Sequence, residues 1–204
     1  MMLRPYQERV VAKAAAALEK HGNTLVVSPT GSGKTIILSA LARRVAPKKA
    51  LILQHREELV GQNMEKYLKI NPKSWPSLYT ADSKSWGGNA IFAMVQTLAR
   101  HTRTIPSVDL LIIDEAHHSA ASSYRKIISA VLEENPACKV AGFTATPERS
   151  DKKGLLSIFS NVADQITIKE LIDLGFLVPP RSFVVDVGTQ GDLSKVRRLA
   201  SDYD

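Results

Sequence analysis

Three features of the 204-residue sequence predict an α/β fold built on a mostly parallel sheet with helices on both faces. Short apolar runs alternate with segments of helical periodicity, the pattern of βαβ units. Several runs are apolar at every position, as strands covered on both faces must be. A Gly-Ser-Gly-Lys-Thr turn joins the first run to a helical segment, the junction at which such sheets take up phosphates.

The elements follow in order. Leu3, Tyr6, Val10, Ala14 and Ala17 recur at helical spacing, which predicts one amphipathic helix over 4–20. His21-Gly22-Asn23 ends it, with Gly22 suited to the left-handed position after a helix. Residues 24–28 read as a buried strand, 34–45 as a helix, 50–53 as a strand and 57–68 as a helix. The stretch 71–88 holds Pro72, Pro76, Gly87 and Gly88, and reads as loop with a short strand near Leu78. Further strands are expected at 90–94, 110–113 and 139–143, with a helix over 123–133 capped by Ser122. Beyond Thr146 the alternation weakens. Residues 169–174 are helix-like up to Gly175, and Val178-Pro179-Pro180 forces an extended exit. Residues 182–187 read as another strand and 193–199 as helical, with no capping signal before Asp204. The expected organisation is one domain over 1–180, with 181–204 a linker toward a second domain.

Composition bounds the class. Hydrophobic residues at 44% and charged residues at 23% fit a soluble globule able to bury a full core. The single cysteine, Cys138, excludes an internal disulfide framework and predicts a reducing, cytoplasmic setting. No apolar run approaches the roughly 20 residues of a membrane span, and the first residues lack a signal peptide's apolar stretch. Lys and Arg total 27 against 20 acids, a net +7. Residues 1–102 carry 15 bases and 6 acids, whereas 103–204 carry 12 bases and 14 acids. A basic half fits either a solvated surface or a face that meets a polyanion.

The residues that carry chemistry cluster after predicted strands. In Ser28-Pro29-Thr30-Gly31-Ser32-Gly33-Lys34-Thr35 the glycines let main-chain N–H groups turn inward around phosphate oxygens. The following helix N-terminus adds partial positive charge. Lys34 can reach the β- and γ-phosphates of ATP, and the Thr35 hydroxyl can ligate Mg²⁺. The spacing departs from the generic eight-residue pattern only in Ser28, which replaces its first glycine. Asp114-Glu115-Ala116-His117 follows the aliphatic run 110–113, at a strand's carboxyl end. There Asp114 suits Mg²⁺ through water, and Glu115 can accept a proton from a water attacking the γ-phosphate. Arg56, Gln96 and Thr97 also follow predicted strands, where they can either donate to nucleic-acid phosphates or cap helices and meet solvent.

With these motifs in this order, the chain resembles the first RecA-like domain of superfamily-two DEAH-box helicases and translocases, a P-loop NTPase fold. In this resemblance Leu3-Arg4-Pro5-Tyr6-Gln7 is the adenine-reading motif, with Gln7 and Arg4 on the base. Residues 28–35 match motif I and Asp114 to His117 match motif II. Thr144-Ala145-Thr146-Pro147 matches motif III, with His117, Thr144 and Thr146 coupling nucleotide to nucleic-acid movement. Leu53-Gln54-His55-Arg56 and Val95-Gln96-Thr97-Leu98 are similar to nucleic-acid motifs of the XPB-like branch, which adds Gln54 to the expected contacts. Many relatives have Pro-Thr where this chain has His55-Arg56. The resemblance implies ATP and Mg²⁺ as cofactors, DNA as the partner, and a second RecA-like domain that supplies arginine fingers. A double-strand translocase such as a restriction motor subunit, and a non-catalytic nucleotide-gated module, are the competing readings.

Other residues carry weaker expectations. His117 and His118 are adjacent and are expected to point to different sides of the chain. Trp75 and Trp86 flank a loop and are expected to be partly buried, with stacking on bases as the second reading, and Cys138 reads as a small core residue before a strand.

Overall fold

The computed structural model describes residues 2–146, 155 and 157–179. Its helices are α1 (Pro5–His21), α2 (Lys34–Val45), α3 (Val60–Ile70), α4 (Val95–Leu98), α5 (Ser122–Glu134) and α6 (Ile168–Asp173). Its strands are β1 (Asn23–Val27), β2 (Ala50–Gln54), β3 (Pro76–Tyr79), β4 (Ala90–Met94), β5 (Leu110–Asp114), β6 (Lys139–Thr144) and β7 (Val162–Gln165). Among the described residues the strands form one seven-stranded sheet in the order β3-β4-β2-β5-β6-β1-β7, with every neighbouring pair parallel. The α/β expectation is borne out.

Alternation inside the apolar runs builds two cores. Val26, Ile52, Phe92, Ile112 and Phe143 face a layer that includes Val10, Ala14, Leu18, Ile37, Leu41, Tyr67 and Leu171. Leu25, Leu53, Ile91, Leu111, Ile113 and Val140 face Leu98, Tyr124, Ile127, Val131 and Phe159. Successive strand residues point to opposite faces, so an unbroken run such as Leu110-Leu111-Ile112-Ile113 feeds both layers. Gly142 lies where an added Cβ would fall 2.4 Å from Phe159 Cζ, so this strand position must be bare for the ring to cover the sheet.

Several boundaries differ from the sequence expectation for physical reasons. The helix expected over 57–68 begins as a 3-10 turn (Glu57–Leu59) and becomes α-helical only at Val60. Ser122 is the first residue of α5, not its cap; Ala121 holds the cap position in extended conformation and no side chain caps the end. Gly22 takes the left-handed conformation after α1 with φ 73°, as expected. Strand β7 was not expected: it is an edge strand, and its Asp164 faces charged partners rather than a core. Pro147 and residues 181–204, with the strand and helix expected there, lie outside the described residues. No helix among the described residues is long and apolar enough to cross a membrane.

The order β5-β6-β1 brings three strand ends together. Asp114 is opposite Phe143, Val27 is opposite Thr144, and Ser28 N–H donates to the Thr144 carbonyl at 2.8 Å. Residues 28–35, the Asp114-Glu115 pair and Thr144 therefore share one carboxyl edge of the sheet, where open α/β sheets bind ligands.

Candidate nucleotide site and nucleic-acid edge

The turn after β1 is fixed from inside. Ser32 Oγ donates to the Pro29 carbonyl at 2.6 Å and shares a 2.5 Å hydrogen bond with Ser28 Oγ. Ser32 N–H also reaches the Pro29 carbonyl, at 3.2 Å. Thr30 and Gly31 are exposed at the tip. Gly31 and Gly33 have φ of 85° and 77°, a region that disfavours any Cβ. A Cβ at Gly31 would fall 2.9 Å from Leu177 Cδ2, and one at Gly33 would fall 2.7 Å from Gln7 Nε2. Only glycine fits at these two positions.

Helix α1 braces the turn. The Tyr6 hydroxyl donates to the Ser32 carbonyl at 2.7 Å, and Gln7 Nε2 donates to the same oxygen at 3.2 Å. Gln7 Oε1 accepts from Arg4 N–H at 3.0 Å, tying the start of the helix to the same side chain. The Arg4 guanidinium lies 4.4 Å over the Phe176 ring, whose centroid is 5.2 Å from that of Tyr6. After α6, Leu177 presses on the turn at Gly31 while Phe176 packs on Arg4 and Tyr6, contributions with no motif signal in the sequence.

Across the turn stand the acids. Lys34 Nζ donates to Glu115 Oε1 at 2.6 Å and lies 4.0 Å from Asp114 Oδ1. Asp114 continues the strand, whereas Glu115 turns into the left-handed region at φ 54° and ψ 52°. For a non-glycine residue this conformation costs roughly 1 kcal/mol or more, and it redirects the chain at the acidic pair. Burial pushes the Asp114 carboxyl above its usual range, opposed by the Lys34 charge and assisted by that of Glu115. The Tyr124 hydroxyl, buried without a hydrogen-bond partner among the described residues, is pushed well up by burial and then by the Asp114 and Glu115 charges.

His117 Nδ1 lies 3.1 Å from Thr144 Oγ1 and 3.4 Å from Glu115 Oε2, so motif II touches motif III directly. Thr144 Oγ1 also exchanges 3.3 Å contacts with the Thr146 backbone N–H and carbonyl. The two adjacent histidines do not diverge as expected. They lie in a 3-10 turn, not an extended strand, so their ring centroids are 4.1 Å apart, and His118 stacks on His55 at 4.5 Å.

The expected nucleic-acid residues separate. Arg56 and Gln96 are exposed and Thr97 is half-buried, at the ends of β2 and β4. Gln54 is a correction: its side chain is 2% exposed and cannot present to a phosphate. Its Oε1 instead accepts from Asn63 Nδ2 at 2.6 Å, and Asn63 Oδ1 accepts from Thr35 Oγ1 at 3.1 Å. Trp75 is also corrected, being 62% exposed, whereas Trp86 is half-buried against Tyr79. Cys138 is buried as expected, its thiol pushed up to about 12 by burial.

The family described as type III restriction enzyme, res subunit, matches residues 1–149. The chain belongs to that family. Over 218 residues it is 34% identical to the protein named "Putative ATP-dependent helicase IRC3" of Saccharomyces cerevisiae, covering 99% of this chain and 31% of that protein. The solved Pyrococcus furiosus Hef helicase domain is similar at TM-score 0.65 and 27% identity, over 76% of this chain and 35% of that one. The nuclease-deletion mutant of the Type ISP restriction-modification enzyme LlaGI, solved with a DNA substrate mimic, matches at TM-score 0.67 and 16% identity. That likeness covers 86% of this chain and 21% of the LlaGI chain, and it speaks for the fold alone. The chain spans 31% and 34% of the length of two curated relatives named IRC3 and 16–18% of that of three named MPH1. The resemblance to superfamily-two motor domains and the RecA-like fold are thereby borne out.

Proposed function

We propose that this chain is the ATP-binding first motor domain of an ATP-dependent helicase, which hydrolyses ATP with Mg²⁺ to move on or unwind nucleic acid. The observation that carries the reading is the convergence of Lys34 on Glu115 at 2.6 Å and on Asp114 at 4.0 Å, beside the His117–Thr144 contact. In this reading the main-chain N–H groups of Gly31, Gly33, Lys34 and Thr35 and the Lys34 ammonium hold the phosphates. Gln7 and Arg4 meet the base. The Thr35 hydroxyl and, through water, the Asp114 carboxylate are oxygen donors that suit Mg²⁺. Bound there, Mg²⁺ supplies charge neutralisation to the terminal phosphates. Glu115 accepts the proton of the attacking water. His117, Thr144 and Thr146 pass changes at the nucleotide to the neighbouring strand end.

The same proposal takes Arg56, Gln96 and Thr97 as phosphate contacts, with DNA as the polymer. Residues 1–180 form this domain, and 181–204 lead to a second RecA-like domain that supplies the arginine finger. A cytoplasmic setting is supported by the single buried thiol of Cys138. Without an arginine finger, hydrolysis should be about 10³–10⁵-fold below that of a complete motor. Calorimetry of the 204-residue chain with excess ATP and Mg²⁺ should give binding heat that Lys34→Ala abolishes; no such heat in the unsubstituted chain would sink the reading.

A double-strand translocase of the restriction-motor kind is the second reading, favoured by the description of the family that matches residues 1–149. A strand-displacement assay on the complete protein separates the two, because a translocase moves along duplex without releasing a strand.

A further inference from the structure

We propose that Asn63 is a positioning residue for the metal, accepting the one proton of the Thr35 hydroxyl so that its lone pairs remain free for Mg²⁺. The inference rests on the phosphate-loop reading above and adds to it a residue from α3. A threonine hydroxyl has one hydrogen to donate and two lone pairs. Here Thr35 Oγ1 donates to Asn63 Oδ1 at 3.1 Å, which leaves both lone pairs uncommitted. Were Asn63 turned to present its amide instead, an N–H would occupy a lone pair and compete with the metal.

Gln54 decides which way Asn63 faces. Asn63 Nδ2 donates to Gln54 Oε1 at 2.6 Å, so the Asn63 oxygen is left for Thr35. Both amides are buried, at 2% exposure for Gln54 and 6% for Asn63, so water does not set their orientation. This arrangement leaves Gln54 Nε2 buried with no partner among the described residues. Reversing both amides together would let Gln54 Nε2 donate to Asn63 and Asn63 donate to Thr35. The chain Gln54–Asn63–Thr35 thus has two self-consistent states, and only the observed one leaves the hydroxyl free for a metal. Gln54 ends β2, directly before the exposed His55 and Arg56, so the relay starts at the root of a candidate nucleic-acid loop.

The test compares the affinity of a fluorescent ATP analogue in Mg²⁺ with that in EDTA, for the whole chain. Asn63→Leu should weaken binding in Mg²⁺ about tenfold, the scale for losing an outer partner of a metal ligand, while binding in EDTA stays within about twofold. Thr35→Ala should show the same metal-specific loss, and adding Asn63→Leu to it should cost nothing more. Asn63→Asp keeps an acceptor for Thr35 and should retain the Mg²⁺ advantage. If Asn63→Leu does not fold, Gln54→Met, which removes the acceptor that orients Asn63, should give a metal-specific loss of about threefold. Equal losses with and without Mg²⁺, no loss in either, or an Asn63→Asp chain that behaves like Asn63→Leu would each overturn the assignment. An unsubstituted chain that binds the analogue in neither condition would sink the phosphate-loop reading instead.

Discussion

Replacing Glu115 with Gln separates two effects that the geometry assigns to one carboxylate. Glu115 holds the Lys34 ammonium at 2.6 Å, with the Lys34 side chain 13% exposed and that of Glu115 40% exposed. An incoming triphosphate must draw the ammonium away. Glutamine keeps a neutral oxygen for Lys34 but removes the ionic attraction, which with the Glu115 carboxylate 40% exposed is about 0.2–1 kcal/mol. Nucleotide affinity should therefore rise about 1.4- to 5-fold. Hydrolysis loses its base and should fall about 10²–10⁴-fold. Equilibrium titration with a fluorescent ATP analogue and single-turnover phosphate release measure the two effects on one preparation. Turnover within about threefold of the unsubstituted chain would remove Glu115 from the chemistry. An affinity loss of about tenfold would instead mean that the Lys34–Glu115 pair organises the cradle rather than competing with the phosphate.

Three other perturbations test the fold around the site. Burial holds the Asp114 carboxyl above its usual 3.8, so the native chain keeps a proton that the unfolded chain has released, and stability falls as pH rises through the window just above that value. Asp114→Asn should flatten this part of the profile and raise the nucleotide-free melting temperature at neutral pH while abolishing Mg²⁺-dependent hydrolysis; thermal melts across acidic and neutral pH check it. Burial opposes the charge of Asp164, but hydrogen bonds from Lys13 at 3.0 Å and Arg9 at 2.9 Å outweigh it and hold that carboxyl below its usual range. Its contribution is present above the unfolded value and lost as pH falls through the lowered one. Asp164→Ala should cost about 1 kcal/mol in urea unfolding, less at high salt. Gly142→Ala should overpack the sheet against Phe159 by about 1–3 kcal/mol. Adding Phe159→Leu should recover part of that loss, and strict additivity in the double variant would contradict the close approach.

Much of the fold was legible because burial and chain direction left a local trace. Helix α2 over 34–45 and strand β4 over 90–94 coincide with their expected bounds, since each is an apolar run closed by a turn or a phosphate-loop signal. Strand β7 left no such trace. Only Val162 and Ala163 in Val-Ala-Asp-Gln are apolar, and Asp164 is held by Arg9 and Lys13 from α1, a pairing that exists only after folding. The sheet order was equally silent. That β6 inserts between β5 and β1, setting His117 against Thr144, follows from a crossover that no residue pattern encodes.

The site divides along the same line. The phosphate loop and the acidic pair could be read because backbone geometry demands glycines there and because charged residues end an aliphatic strand. Asn63 was readable in principle: Val60, Asn63, Tyr67 and Ile70 form one buried stripe of α3, and a carboxamide inside an apolar stripe requires a partner. Its partners, Thr35 and Gln54, come from two other elements, so the stripe marks the residue without saying what it meets. Gln54 misled for the complementary reason. Its place in the motif-like Leu53-Gln54-His55-Arg56 marked it as a nucleic-acid contact, but the strand's cover extends one residue further than its apolar run and turns the side chain into an internal relay. Glu115 breaks a local rule outright, since a left-handed glutamate is unfavourable wherever nothing holds it. Local preference failed at Gln54 and Glu115, which join the hydrogen-bond network of Thr35 through Asn63 and of Lys34 directly, and there tertiary contacts outweigh the conformational and desolvation costs.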